Sequence, residues 1–175
     1  RKNIEMLINA YGHLSPLLKK KYNLVLVGKL LEPEIDLIDT WIKYYAIDQS
    51  KVIKLGYVSD LDLVALYQKC SLYIFPSLHE GFGLPILEAM SCGAPVIASN
   101  STSIPEIIEW DEALFNPLKV TEIKDLIERA LTDSEFRIAL INNSAKQSKK
   151  FSWYRTASNV IDAFDTLVSS NTNNI

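Results

Sequence analysis

The sequence has 175 residues and 48% hydrophobic content, enough for one globular domain with a real core and too little for two. Its 18 Lys and Arg against 21 Asp and Glu give a formal charge of −3, and no like-charge run exceeds Lys19 to Lys21, which argues against nucleic acid or an anionic membrane as the main partner. Cys70 and Cys92 stand in no metal-binding spacing, so neither a zinc site nor a disulfide framework is expected.

The chain opens on NIEMLINAYGHL, where Ile4, Leu7, Ile8, Tyr11 and Leu14 recur at the spacing of one helical face. Leu24 to Val27 then reads as a strand buried on both faces, ending at Gly28. PEIDLIDTWIKYYAI returns to helical spacing, with Pro33 tolerated in a first turn whose N–H groups lack partners. VIKLG is a strand, Ser59 an N-cap for the helix DLDLVALYQKC, and LYIFP a further strand. PILEAMSCG is a short helix between Pro85 and Gly93, and PVIAS the strand after it. PEIIEW makes a helical turn and ALFNP a short strand. Three helices, VTEIKDLIERAL, SEFRIALINNSAKQSKK and SWYRTASNVIDAFDTLV, complete a domain over residues 1–169, and the polar residues 170–175 are expected to be a disordered tail.

Strands alternating with helices five times predict parallel pairing and an α/β fold, a doubly wound sheet with helices on both faces. Such a domain ordinarily begins with a strand, whereas this chain begins with Lys2, Asn3 and a helix, and its first residue is Arg1 rather than methionine. A fragment lacking a preceding strand is therefore expected. No apolar run has the length of a membrane span and the start carries no signal-peptide pattern, which suits a cytoplasmic protein.

In open α/β sheets, ligands sit beyond the carboxyl ends of the strands, where PSLHEGFGL lies. Gly81 and Gly83 permit backbone shapes that a Cβ forbids. The N–H groups of Leu84, Ile86 and Leu87, at the start of the next helix, are expected to face the crevice and to suit a phosphate. Glu88, in the first turn of that helix, leans back toward the crevice, and Glu80 enters from the loop. Two carboxylates repel a phosphate unless each is occupied by hydroxyl groups, and vicinal diols suit them. The ligand so described reads sugar, phosphate, sugar. A plainer reading is that Glu88 complements the helix dipole, Glu80 is a solvated loop acid and the glycines only shape a turn. Spacing does not decide between the two.

PSLHEGFGLPILEAMSCGAPVIASNSTSIPEI resembles, almost position by position, the donor-site signature of retaining glycosyltransferases of the GT-B fold, the family that includes bacterial mannosyltransferases and glycogen synthase. LVLVGK, LGYVSDLDLVALYQKCSLYIFPS, ALFNP and FSWYRTA extend the resemblance over nearly the whole chain. It implies a Rossmann-like donor-binding domain, the C-terminal half of a two-domain enzyme. It also implies that Glu80 contacts hydroxyls of the transferred sugar, Glu88 holds the ribose diol, and the amides of Gly81, Phe82, Gly83 and Leu84 meet the sugar and distal phosphate. Lys2 matches the lysine that neutralises the diphosphate, Gly28 the passage near the phosphates, and Tyr57 and Val58 the loop beside the nucleobase. Ser99, Asn100 and Ser103 lie in a segment near the site, without an assigned contact, and His79 receives no role. Where the family has a glycine after PEI, this chain has Glu109, Trp110 and Asp111, so a differently shaped loop is expected.

The implied reaction is retaining hexosyl transfer from a GDP-sugar such as GDP-mannose, or from a UDP-hexose, to a glycan acceptor held by an N-terminal domain. No metal or further cofactor is implied, and Glu80 and Lys2 are the residues nearest the chemistry. Two alternatives stand: a binding module without catalysis, and a glycoside hydrolase using Glu80 and Glu88 as its carboxyl pair.

Overall fold

A computed structural model describes residues 2–172 of the chain. Helix α1 (Ile4–Gly12) buries Leu7, Ile8, Ala10 and Tyr11, the face its spacing predicts. Helix α2 (Pro16–Lys21), too short to leave a periodic signal, starts with proline behind the cap Ser15, whose hydroxyl accepts from the Leu18 N–H. Strand β1 (Leu24–Val27), α3 (Glu32–Tyr44), β2 (Val52–Gly56) and α4 (Asp60–Lys69) follow. Ser59 caps α4 as expected, accepting from Asp62 N at 3.2 Å. Then come β3 (Tyr73–Phe75), α5 (Leu84–Ser91), β4 (Val96–Ser99), α6 (Ile104–Ile108), β5 (Leu114–Phe115), α7 (Val120–Thr132), α8 (Ser134–Ser148) and α9 (Trp153–Thr172). Residues 170–172, expected in a tail, continue α9, and 173–175 lie outside the described residues.

Every strand pair is parallel: β1 with β2, β3 with β4, and β4 with β5. The expected single sheet is instead two, β1-β2 and β3-β4-β5, because β1 and β3 are not hydrogen-bonded to each other. That break bears on a second departure. β1 is not buried on both faces: Leu24 and Leu26 are buried, but Val25 and Val27 are about 40% exposed. With β2 as its strand partner among the described residues, β1 is an edge whose second face lacks the cover a central strand receives.

The helices form two layers. α1 packs on α3 and α7, while α5 packs on α8 and α4. Between them, Ile8, Ile38, Ile86, Ile97, Ile104, Ile107, Phe115, Ile123 and Leu140 are sealed from solvent. β4 is buried at all four positions and is the centre of the larger sheet. Cys70 and Cys92 are free thiols, each half-buried, and burial pushes the Cys70 thiol up. No helix among the described residues is long and apolar enough to cross a membrane.

Candidate functional site at the carboxyl edge of the strands

The chain reaches the carboxyl edge of the sheets at several points, and the candidate residues stand at each of them. Gly28 follows the last residue of β1 and Gly56 closes β2, joined there by Gly28 N donating to Gly56 O at 2.9 Å. Both glycines have positive φ, +129° and +67°, so the two turns leave the edge in conformations that side chains disfavour. Tyr57, 83% exposed, and the half-buried Val58 follow β2 and lead into α4.

The start of the chain arrives at the same edge. Asn3 lies in the left-handed region, with φ 58°, and its amide nitrogen donates to Pro76 O at 3.1 Å and Pro117 O at 2.8 Å. Those carbonyls follow β3 and β5, so Asn3 ties α1 across the ends of the larger sheet. Lys2 is thereby set beside the loop after β3: its Nζ is 2.7 Å from Glu80 Oε1 and 5.4 Å from the centre of the Phe75 ring. The lysine side chain remains half exposed while that of Glu80 is only 11% exposed, so the cation is presented outward and the carboxylate is held.

The loop from 77 to 83 is fastened by the segment after β4. Ser99 Oγ donates to Ser77 O at 2.5 Å within the core. The Thr102 hydroxyl accepts from Glu80 N at 3.1 Å, and Ser103 Oγ lies 3.2 Å from Glu80 O and 3.0 Å from Phe82 O. Ser103 thus shapes the glutamate loop. The Phe82 ring rests edge-on against Phe151, centroids 5.7 Å apart, bringing the start of FSWYRTA over the loop.

Gly83 is the hinge into α5. Its φ is +111°, and a Cβ there would sit 3.1 Å from Ile107 Cδ1 and 3.3 Å from Ile86 Cδ1, both in the core. Gly81 differs: a Cβ would meet nothing within 4 Å and its φ is unexceptional, so the local backbone does not require glycine there. The expected row of free amides is shorter than the sequence implied. Ile86 N donates to Gly83 O at 2.9 Å, and Pro85 has no N–H, which leaves Leu84 as the first amide of the helix.

Glu88 begins the second turn of α5 rather than lying in its first. It is exposed, and its Oε2 accepts from the Tyr67 hydroxyl at 3.2 Å. Tyr67 is buried on α4, and Tyr73 of β3 packs against it with its hydroxyl facing the same way, the rings crossing at 86° with centroids 5.2 Å apart. Burial first, and the Glu88 charge second, push the Tyr67 hydroxyl up to about 12, so it stays a donor at neutral pH. Each carboxylate therefore has a protein donor, Lys2 for Glu80 and Tyr67 for Glu88, an arrangement that reduces the repulsion two bare acids would exert on an anion. Asn3, Thr102, Tyr67, Tyr73 and Phe151 were not legible as site residues. Polar side chains that bond to distant backbone leave no spacing, and Tyr67 and Tyr73 read as ordinary core aromatics.

The chain belongs to the family described as glycosyl transferases group 1, whose pattern matches residues 1–147. It is 46% identical over 170 residues to the serotype-specific mannosyltransferase WbdA of Escherichia coli, covering 97% of this chain and 21% of that protein. It is 37% identical over 175 residues to the O-antigen chain mannosyltransferase B of Escherichia coli, covering 95% of this chain and 43% of that one. The chain thus spans less than half the length of these relatives. Among solved structures, it superposes on Anabaena HepE in complex with UDP with a TM-score of 0.82 at 24% identity, over 94% of this chain and 45% of that one. It superposes on the C-terminal domain of the group 1 glycosyl transferase LpcC of Francisella tularensis with a TM-score of 0.70 at 27% identity, over 85% and 78%. The doubly wound, Rossmann-like architecture of GT-B glycosyltransferases is the fold of this chain.

Proposed function

We infer that residues 1–169 bind the donor, a nucleoside diphosphate hexose, for a retaining hexosyltransferase, with mannose from GDP-mannose the favoured sugar and a UDP-hexose the alternative. The mannosyltransferases WbdA and O-antigen chain mannosyltransferase B support the sugar class, and the UDP complex of HepE supports the ligand class. The observation that carries the reading is the meeting of Lys2 and Glu80, 78 positions apart and 2.7 Å in space, at the mouth of a helix hinged on Gly83.

In this reading the diphosphate lies over the Leu84 amide and the start of α5, where positive partial charge favours an anion. Lys2 exchanges part of its contact with Glu80 for the distal phosphate. Glu88 accepts from the ribose diol, Glu80 from hydroxyls of the hexose, and Tyr57 and Val58 flank the base, with Gly28 giving the phosphates room. The bond from the anomeric carbon to the distal phosphate breaks with its electron pair going to phosphate oxygen. Lys2 and the loop amides stabilise that charge. The acceptor oxygen bonds to the same face of the anomeric carbon, and its proton passes to the departing phosphate. The donor carries its own leaving group, so the reading uses no cofactor. A further domain holds the glycan acceptor, at the cytoplasmic side where sugar nucleotides are made, and residues 1–175 alone bind the donor without turning it over.

Calorimetric titration of this chain tests the assignment. Glu88→Ala is expected to weaken the nucleoside diphosphate and its sugar conjugate alike, whereas Glu80→Ala weakens mainly the conjugate. Equal losses for both ligands in both variants would contradict the roles.

A further inference from the structure

We propose that Tyr67, backed by Tyr73, is the positioning residue that aims Glu88 and makes the site select ribose over deoxyribose. The proposal rests on the reading of Glu88 as the acceptor for the ribose diol. Glu88 is exposed on α5, and a glutamate in that setting samples many rotamers, so a fixed acceptor must be held by something else. The holder is the Tyr67 hydroxyl, 3.2 Å from Oε2, on a ring that is itself only 7% exposed and therefore cannot move away.

The direction of the hydrogen bond is also fixed. The Tyr67 hydroxyl has a single proton and the Glu88 carboxylate only accepts, so that proton goes to Glu88, while the Tyr73 ring braces that of Tyr67 edge-on and its hydroxyl faces the same pair. The carboxylate receives the Tyr67 donor on Oε2, and being exposed it keeps lone pairs open to solvent or to the hydroxyls of a ligand. A cis diol supplies two O–H donors to that acceptor. A ligand without those hydroxyls leaves the acceptor to water. α4 carries Tyr67 directly downstream of Tyr57 and Val58, so one element links the proposed base wall to the proposed ribose acceptor.

The experiment compares UDP and GDP with their 2′,3′-dideoxy counterparts by titration calorimetry, in the wild type, Tyr67→Phe, Tyr73→Phe and Glu88→Ala. Removal of one hydrogen bond predicts that Tyr67→Phe loses about three- to tenfold in affinity for the ribose ligands and less than about twofold for the dideoxy ligands. Tyr73→Phe should show a smaller loss of the same kind. Thermal unfolding of each variant separates loss of fold from loss of aim. If Tyr67→Phe does not fold, Tyr73→Phe decides, and an unchanged preference for ribose in it overturns the proposal. A Glu88→Ala variant that loses the preference beside a folded Tyr67→Phe that keeps it overturns the positioning role alone. A Glu88→Ala variant that keeps the preference overturns the diol reading and this inference with it.

Discussion

Asn3 decides where Lys2 stands, although it occupies the N-cap position of α1. Its side chain makes no cap bond and instead closes the carbonyls of Pro76 and Pro117. Asn3→Ala removes two hydrogen bonds of about 0.5–1.5 kcal/mol each, so a lower midpoint in urea unfolding is expected, together with weaker nucleoside diphosphate binding as Lys2 loses its place. The two glycines of the turn separate in the same assay. Gly83→Ala forces a side chain into φ +111° and against Ile107, a strain of about 1–3 kcal/mol, while Gly81→Ala meets open space and should stay within about 0.5 kcal/mol of wild type. Equal costs at the two positions would contradict the account of the hinge. The sequence marks both glycines alike. The positive φ of Gly83 and the packing of Ile107 behind it distinguish them, and that contact joins residues far apart in the chain.

At the level of elements, helix periodicity and capping residues were legible where a face is long enough, as in α1, α3, α4 and α7. The end of α6 was legible only as a departure. Glu109 occupies the left-handed position, φ 46°, that glycine usually fills after a helix. Lys150 of the α8–α9 connection reaches its carboxylate, and Gln147 lies 3.4 Å from Oε2. The loop thus keeps a glycine-like turn by anchoring a charged residue in it. Thermal unfolding should rank Glu109→Gly above Glu109→Ala, since alanine keeps the disfavoured φ and loses the anchors. The Lys150 hydrogen bond, and next Gln147, hold the Glu109 carboxyl below the ordinary carboxylate range. A folded value depressed relative to the unfolded one stabilises the fold above the unfolded value, and that contribution disappears as pH falls through the folded value. The advantage of wild type over Glu109→Gln should therefore be present at neutral pH and shrink as the solution is acidified below the ordinary carboxylate range. An advantage that persists in acid would mean that the carboxylate charge is not what anchors the turn.

Across the whole molecule, alternation of strands and helices announced the parallel α/β class, but not the break between β1 and β3. Alternation is a local property, whereas pairing depends on what lies beside each edge. The exposed Val25 and Val27 record the same break at side-chain level. An apolar strand joined ahead of Lys2 should pair with the edges of β1 and β3, cover those valines and raise stability by about 1–2 kcal/mol. Equilibrium unfolding of the extended chain measures this, and an unchanged midpoint would show that the two-sheet arrangement needs no such strand. The candidate site was more legible than the sheet, because Glu80, Gly83 and Glu88 sit in one contiguous stretch. Their supports, Asn3, Tyr67, Thr102 and Ser103, come from three other segments, and only the folded chain shows the bonds they make. The account turns on where a nucleoside diphosphate docks, and an amide NMR titration of this chain with GDP and UDP reads that directly. Saturable shifts concentrated at residues 80–88, with smaller ones at Lys2, Gly28 and residues 57–58, are predicted. Saturable shifts that leave 80–88 unmoved and cluster at another surface would contradict it.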